Sequence, residues 1–121
     1  MKPIKVGLLG MGTVGTGVLR IVEGHQEDLQ KQVGSAIRIE KVLVQDKSKA
    51  RRYPVEESRL TDNAWDIVED PAIDIVVEVM GGIEPAKTYI LAALEKGKHI
   101  VTANKDLMAL HGAEILAKAA E

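Results

Sequence analysis

The chain has 121 residues, with 16 Lys plus Arg against 18 Asp plus Glu, a formal net charge of −2 and a hydrophobic fraction of 45%. A chain of this size buries roughly two thirds of the surface its unfolded form exposes, which predicts one packed domain over residues 1–121. Near-neutral charge with one Trp, two Tyr and no Phe offers neither a phosphate-neutralising face nor stacking platforms and argues against a nucleic-acid partner. Zero Cys excludes disulfides, thiolate zinc sites and a cysteine nucleophile, and makes a reducing cytoplasm the expected setting. No apolar run reaches about 18 residues, so no membrane span is expected, and Met1-Lys2-Pro3-Ile4-Lys5 lacks the apolar region of a signal peptide.

In chain order, Ile4, Val6, Leu8 and Leu9 predict a strand buried on both faces. It runs into Gly10-Met11-Gly12-Thr13-Val14-Gly15. Val14, Val18, Ile21, Val22 and Leu29 then repeat at helical spacing, with Gly24-His25 as the expected break. Ile37, Ile39, Val42, Leu43 and Val44 form a second strand ending at Gln45-Asp46. The stretch from Lys47 to Asn63 is polar and basic, with at most a short strand near Leu60. A short helix around 64–69 follows, with Trp65 and Val68 expected to face inward.

The run from Ile73 to Val79 predicts another strand, closed by Met80-Gly81-Gly82. Ile83, Ala86, Ile90, Ala93 and Leu94 mark an amphipathic helix, with Pro85 suited to its first turn and Gly97 to its C-terminal cap. His99 to Thr102 reads as a strand leading through Ala103-Asn104-Lys105 into a last helix, on which Leu107, Leu110, Ile115 and Ala119 share a side. The final Ile115-Leu116-Ala117-Lys118-Ala119-Ala120-Glu121 has no helix stop signal and reads as cut within a longer protein. Strands alternating with helices predict a doubly wound parallel α/β sheet.

A G-x-G-x-x-G run that closes a buried strand and opens a helix has the context of a dinucleotide turn. Gly10 allows the tight turn, Gly12 lets the backbone approach a pyrophosphate, and Gly15 lets helix and strand pack closely. The free N–H groups around Thr13 and Val14 would receive the phosphate charge. Asp46 ends the second strand, where a carboxylate reads an adenosine ribose, although it lies 31 residues past Gly15 rather than about 20. A turn residue is the other reading of Asp46. Lys47, Lys49, Arg51 and Arg52 stand beyond it, able to pair with a 2′-phosphate or simply to face solvent, so NAD against NADP stays open.

Parallel strands open their C-terminal ends on one edge, so the glycine turn, Asp46, Met80-Gly81-Gly82 and Thr102-Ala103-Asn104-Lys105 must converge there. Lys105 would begin a helix whose dipole disfavours an ammonium, a placement that suggests use. His25, His99 and His111 show no metal-ligand spacing and read as structural or solvated. Glu78 is expected to point toward a loop or pair with a neighbour rather than act as a base.

Three segments carry a closer likeness: Val6 to Gly15 around the glycine run, Val77-Glu78-Val79-Met80-Gly81-Gly82, and Val101-Thr102-Ala103-Asn104-Lys105 followed by Leu110-His111-Gly112. In this order the whole chain resembles the N-terminal nucleotide-binding half of homoserine dehydrogenase. The resemblance implies a Rossmann-type fold, NAD or NADP as cofactor, and reversible reduction of L-aspartate 4-semialdehyde to L-homoserine, a step shared by threonine and methionine synthesis. Cofactor contacts are then expected at Gly10, Met11, Gly12, Thr13, Val14 and Gly15, at Gln45 and Asp46, at Met80, Gly81 and Gly82, and at Thr102, Ala103 and Lys105. Lys105 would lie between nicotinamide and substrate, transferring a proton or stabilising an alkoxide.

The family often carries Arg or Lys where this chain has Gln45, which weighs against a strong NADP preference. The family's substrate-binding and oligomerising part, with a second lysine and a monovalent-cation site, and at least one further strand of the cofactor domain, are expected outside these 121 residues. The full-length enzyme is expected to be a homo-oligomer with a small-molecule substrate, and this chain alone to bind cofactor without turnover. Two rivals are a stand-alone nucleotide-sensing module, which has no need of the Thr102 to Lys105 segment, and another small-substrate dehydrogenase such as aspartate dehydrogenase.

Overall fold

A computed structural model describes residues 3–45 and 55–121. Five strands alternate with helices: β1 (Ile4–Leu9), α1 (Thr13–Gly24), α2 (Gln26–Val33), β2 (Ile37–Leu43), a 3-10 turn (Glu57–Arg59), β3 (Leu60–Thr61), α3 (Trp65–Val68), β4 (Ile75–Glu78), α4 (Ala86–Glu95), β5 (His99–Thr102) and α5 (Lys105–Ala119). All strand pairs are parallel, in the order β3-β2-β1-β4-β5. This is the Rossmann arrangement, with the strand order reversing between β1 and β4.

The central strand explains the two layers. Val6 and Leu8 pack with Leu19 of α1, Ile39 and Val42 on one face, while Leu9 packs with Ile67, Val68, Val76 and Ala93 of α3, β4 and α4 on the other. Successive side chains of a strand point to opposite faces, so the mostly apolar run of β1 supplies both layers. Gly7 makes room on the second face, since a Cβ there would overlap the Ile67 side chain. A third cluster, Ala86, Ile90, Leu107 and Ile115, joins α4 to α5. Each fully buried Leu or Ile in these clusters contributes about 1.5–3 kcal/mol.

Three expected helix faces need correction. In α1 the residues that meet the sheet are Gly15, Val18, Leu19 and Val22, with Leu19 fully buried, whereas Val14 and Ile21 are 57% and 59% exposed. Gly15 must face the turn that precedes α1, and that contact selects the stripe 15, 18, 19, 22. In α3 the inward residues are Ile67 and Val68, while Trp65 lies at the surface and meets the Tyr89 ring edge-on at 5.4 Å. In α5 Leu107 and Ile115 are buried but Leu110 is 71% exposed, and Ala119 is exposed too. Non-helical dihedrals at His111 kink α5 and break the expected period.

The turns follow local chemistry. His25 separates α1 from α2, as expected from Gly24-His25. Pro85 sits at the N-cap of α4 rather than within its first turn, after a cis Glu84–Pro85 bond. Gly97, at φ 81°, closes α4, with its N–H donating to Leu94 O and that of Lys98 to Ala93 O. These two bonds satisfy carbonyls that the helix end leaves free. The buried Lys98 ammonium donates to Asp70 O and to Ile73 O at 2.8 Å, tying β5 to the α3–β4 connection. Burial holds its pKa below the usual lysine range, opposed by the carboxylates of Asp70 and Asp74.

Candidate functional site

The loops after β1, β2, β4 and β5 open on one edge of the sheet. Gly10 leaves β1 at φ 114°, in the left-handed region, and a Cβ there would press on Val79 O at 3.3 Å. Gly15 is tighter, since its Cβ would overlap Gly10 O and lie 3.1 Å from Gly10 C. The first turn of α1 therefore rests directly on the strand-to-helix turn. Around Gly12 the opposite holds, because a Cβ there would meet nothing within 4 Å. Glycine at this position leaves space for a ligand to approach the backbone.

Gly12 is the N-cap of α1, no side chain caps it, and the first turn holds no acidic residue. Its free N–H groups and the positive end of the helix dipole make an anion site with no carboxylate of its own first turn competing for it. A diphosphate fits this cradle by charge and by space. Met11 is half-buried against the α1-side core, and Val14 is exposed beside the cradle. Gln45 is exposed just past β2. Asp46 and the basic residues Lys47, Lys49, Arg51 and Arg52 lie outside the described residues.

The loops after β4 and β5 are held together by side chains. Glu78, the last residue of β4, is fully buried, and its Oε2 accepts from Met80 N–H at 2.9 Å and from Gly81 N–H at 3.2 Å. Its Oε1 accepts from the Thr102 hydroxyl at 2.5 Å. Thr102 Oγ1 in turn accepts from Asn104 N–H at 3.1 Å. Asn104 caps α5, with Oδ1 accepting from Leu107 N–H at 3.1 Å, while its Nδ2 donates to Gly82 O at 2.5 Å. Glu78 thus faces a loop, as expected of it.

Lys105 follows as the first residue of α5, with an exposed side chain. None of the ion pairs among the described residues includes it. Ala103 is exposed beside it. The glycine turn, Met80 to Gly82, and Thr102 to Lys105 therefore meet at neighbouring positions along β1, β4 and β5, with Gln45 on the other side of β1.

Asn104 is the residue that sequence reading undervalued. It was legible as an Asn placed three residues before the buried Leu107, the spacing of an N-cap. No group of three or more His, Asp or Glu among the described residues could hold a metal, and no described helix is long and apolar enough to cross a membrane. His111 lies 3.7 Å from Glu114 at the α5 kink, away from any metal-like cluster.

The family pattern described as "Homoserine dehydrogenase, NAD binding domain" matches residues 10–121. The chain belongs to the homoserine dehydrogenase family. The match takes in the segments after β1, β2, β4 and β5. The homoserine dehydrogenase of Bacillus subtilis (strain 168) is 51% identical over 121 residues, all of this chain and 28% of that one. The crystal structure of a homoserine dehydrogenase from Thiobacillus denitrificans superposes with a TM-score of 0.92 at 46% identity, over 98% of this chain and 27% of that chain. That from S. aureus gives a TM-score of 0.92 at 42% identity, over 99% of this chain and 31% of that chain. The chain thus spans about a quarter to a third of the length of these homoserine dehydrogenases.

Proposed function

We propose that these residues bind NAD or NADP along the edge between β1 and β4, within an enzyme that interconverts L-aspartate 4-semialdehyde and L-homoserine. The observation that carries this reading is the joining of an uncapped, glycine-lined helix start to a loop that places a lysine one strand beyond the switch point. The bound dinucleotide supplies the hydride acceptor or donor. The N–H groups around Thr13 and Val14 hold its diphosphate, and the missing side chain at Gly12 admits it. Gln45, just past β2, is the described residue nearest to where the adenosine ribose would be read, and it brings no charge for a 2′-phosphate; Asp46, next in the sequence, is the carboxylate proposed to read that ribose. Met80, Gly81 and Gly82 leave the backbone open toward the nucleotide, with Thr102 and Ala103 lining the next strand end.

Lys105 supplies the proton to the substrate oxygen in the reducing direction, or stabilises the alkoxide in the oxidising one. Substrate-holding groups and the contacts of a homo-oligomer belong to residues outside this stretch. The test is NAD(P)H formation from L-homoserine. The enzyme that carries this domain produces it, while the 121-residue chain by itself produces none. Steady oxidation of homoserine by the isolated chain, or none by the larger enzyme, would overturn the assignment.

A further inference from the structure

We propose that Glu78 is a positioning residue, whose buried carboxylate locks the loop after β4 to the loop after β5 and so sets Lys105 against the glycine turn. This rests on the reading of that edge as the cofactor site.

Glu78 occupies a place that favours an apolar side chain. It shares a strand face with the core residue Val76 and is as fully buried. A carboxylate there is tolerated only when donors surround it. Three do: the N–H groups of Met80 and Gly81, and the Thr102 hydroxyl.

The direction of each bond leaves little freedom. With its proton committed to Glu78, Thr102 Oγ1 can accept, and it accepts from Asn104 N–H. Asn104 spends Oδ1 on capping α5 and Nδ2 on Gly82 O. The chain of bonds therefore returns to the loop from which it started. Gly81 and Gly82 lie at φ 79° and 75°, a backbone that sampled many states when unfolded. Among the described residues, Met80 and Gly81 donate their N–H groups to Glu78, and Gly82 O accepts from Asn104. Lys105 is the residue next to Asn104, so movement of this network displaces it, whereas the rest of the core can stay in place.

Glu78→Gln tests this with almost no change of volume in the enzyme that carries the domain. Its amide oxygen can keep the Met80 and Gly81 N–H groups, but its NH2 meets Thr102 as a donor and reverses that link. The expected result is a folded enzyme with a kcat lowered about tenfold, a raised cofactor Kd and a homoserine KM within about twofold of the parent, since small misplacements of reacting groups cost rate. Glu78→Ala, which loses every bond, is expected to fall further, with Gln between it and the parent. Parental kcat and cofactor Kd in folded Glu78→Gln, or a loss fully explained by a smaller folded fraction, would overturn the positioning role. A parent enzyme that binds neither NADH nor NADPH would overturn the site reading itself, a result read from the parent alone.

Discussion

Lys105→Ala is expected to lower the kcat of homoserine oxidation by about two orders of magnitude or more, the usual loss when a positioned proton donor or oxyanion partner is removed. The fold should hardly notice. Lys105 is exposed at the first position of α5, and the cap of that helix belongs to Asn104. Removing its ammonium leaves no buried group unpaired, so the change in stability stays within about 0.5 kcal/mol. Cofactor affinity should fall far less than kcat, because the proposed diphosphate site lies at the start of α1 rather than at Lys105. Steady-state kinetics and thermal melts of the same preparation check all three. Near-parental kcat would assign Lys105 to binding or solvation instead.

Gly15→Ala is expected to act on the other half of the site, through backbone rather than chemistry. The added Cβ would overlap Gly10 O and crowd Gly10 C at 3.1 Å, and neither atom can swing aside as a side-chain tip would. Helix α1 must shift away from the turn. Overpacking of this kind costs about 1–3 kcal/mol, and cofactor affinity should fall at least tenfold as the N–H groups leave their place, about 1.4 kcal/mol. Gly17→Ala is the matched control, since a Cβ there meets nothing within 4 Å. It should stabilise α1, because Ala exceeds Gly as a helix former by up to about 1 kcal/mol. Urea unfolding and cofactor titration of both variants separate crowding from a general effect of glycine removal. Equal behaviour of the two would contradict the close contact of α1 with the turn.

Most of the architecture was legible because its causes are local or periodic. The mostly apolar run of β1 can be read as a strand buried on both faces, and Gly97 as a helix end, without knowledge of what they touch. The faces of α1 and α5 were less legible. Val14 and Ile21 have the right spacing for a buried stripe, but the stripe is chosen by where Gly15 must sit, a contact with Gly10 that periodicity does not encode. Leu110 is exposed although it lies three residues from the buried Leu107, and the kink at His111 changes the face only of the residues that follow it, a change of dihedrals that nothing in the polar-flanked segment signals. Trp65 is surface-lying because Ile67 fills the space that Gly7 leaves on the sheet.

The site shows the same division. Gly10 and Gly12 announce a turn through their residue type, and parallel strands bring the loops that follow them to one edge by topology alone. The bond from Glu78 to Thr102 spans 24 positions and that from Asn104 to Gly82 spans 22. Such pairings arise only once β4 and β5 lie side by side. An acidic residue inside an apolar strand was the one mark that Glu78 left in the sequence.

Titration calorimetry of the 121-residue chain with NADH and with NADPH tests most directly whether this edge holds a dinucleotide. Saturable one-site binding of at least one of them is expected, weakened in Gly15→Ala and retained in Lys105→Ala. A folded sample that gives no binding heat with either dinucleotide would contradict it.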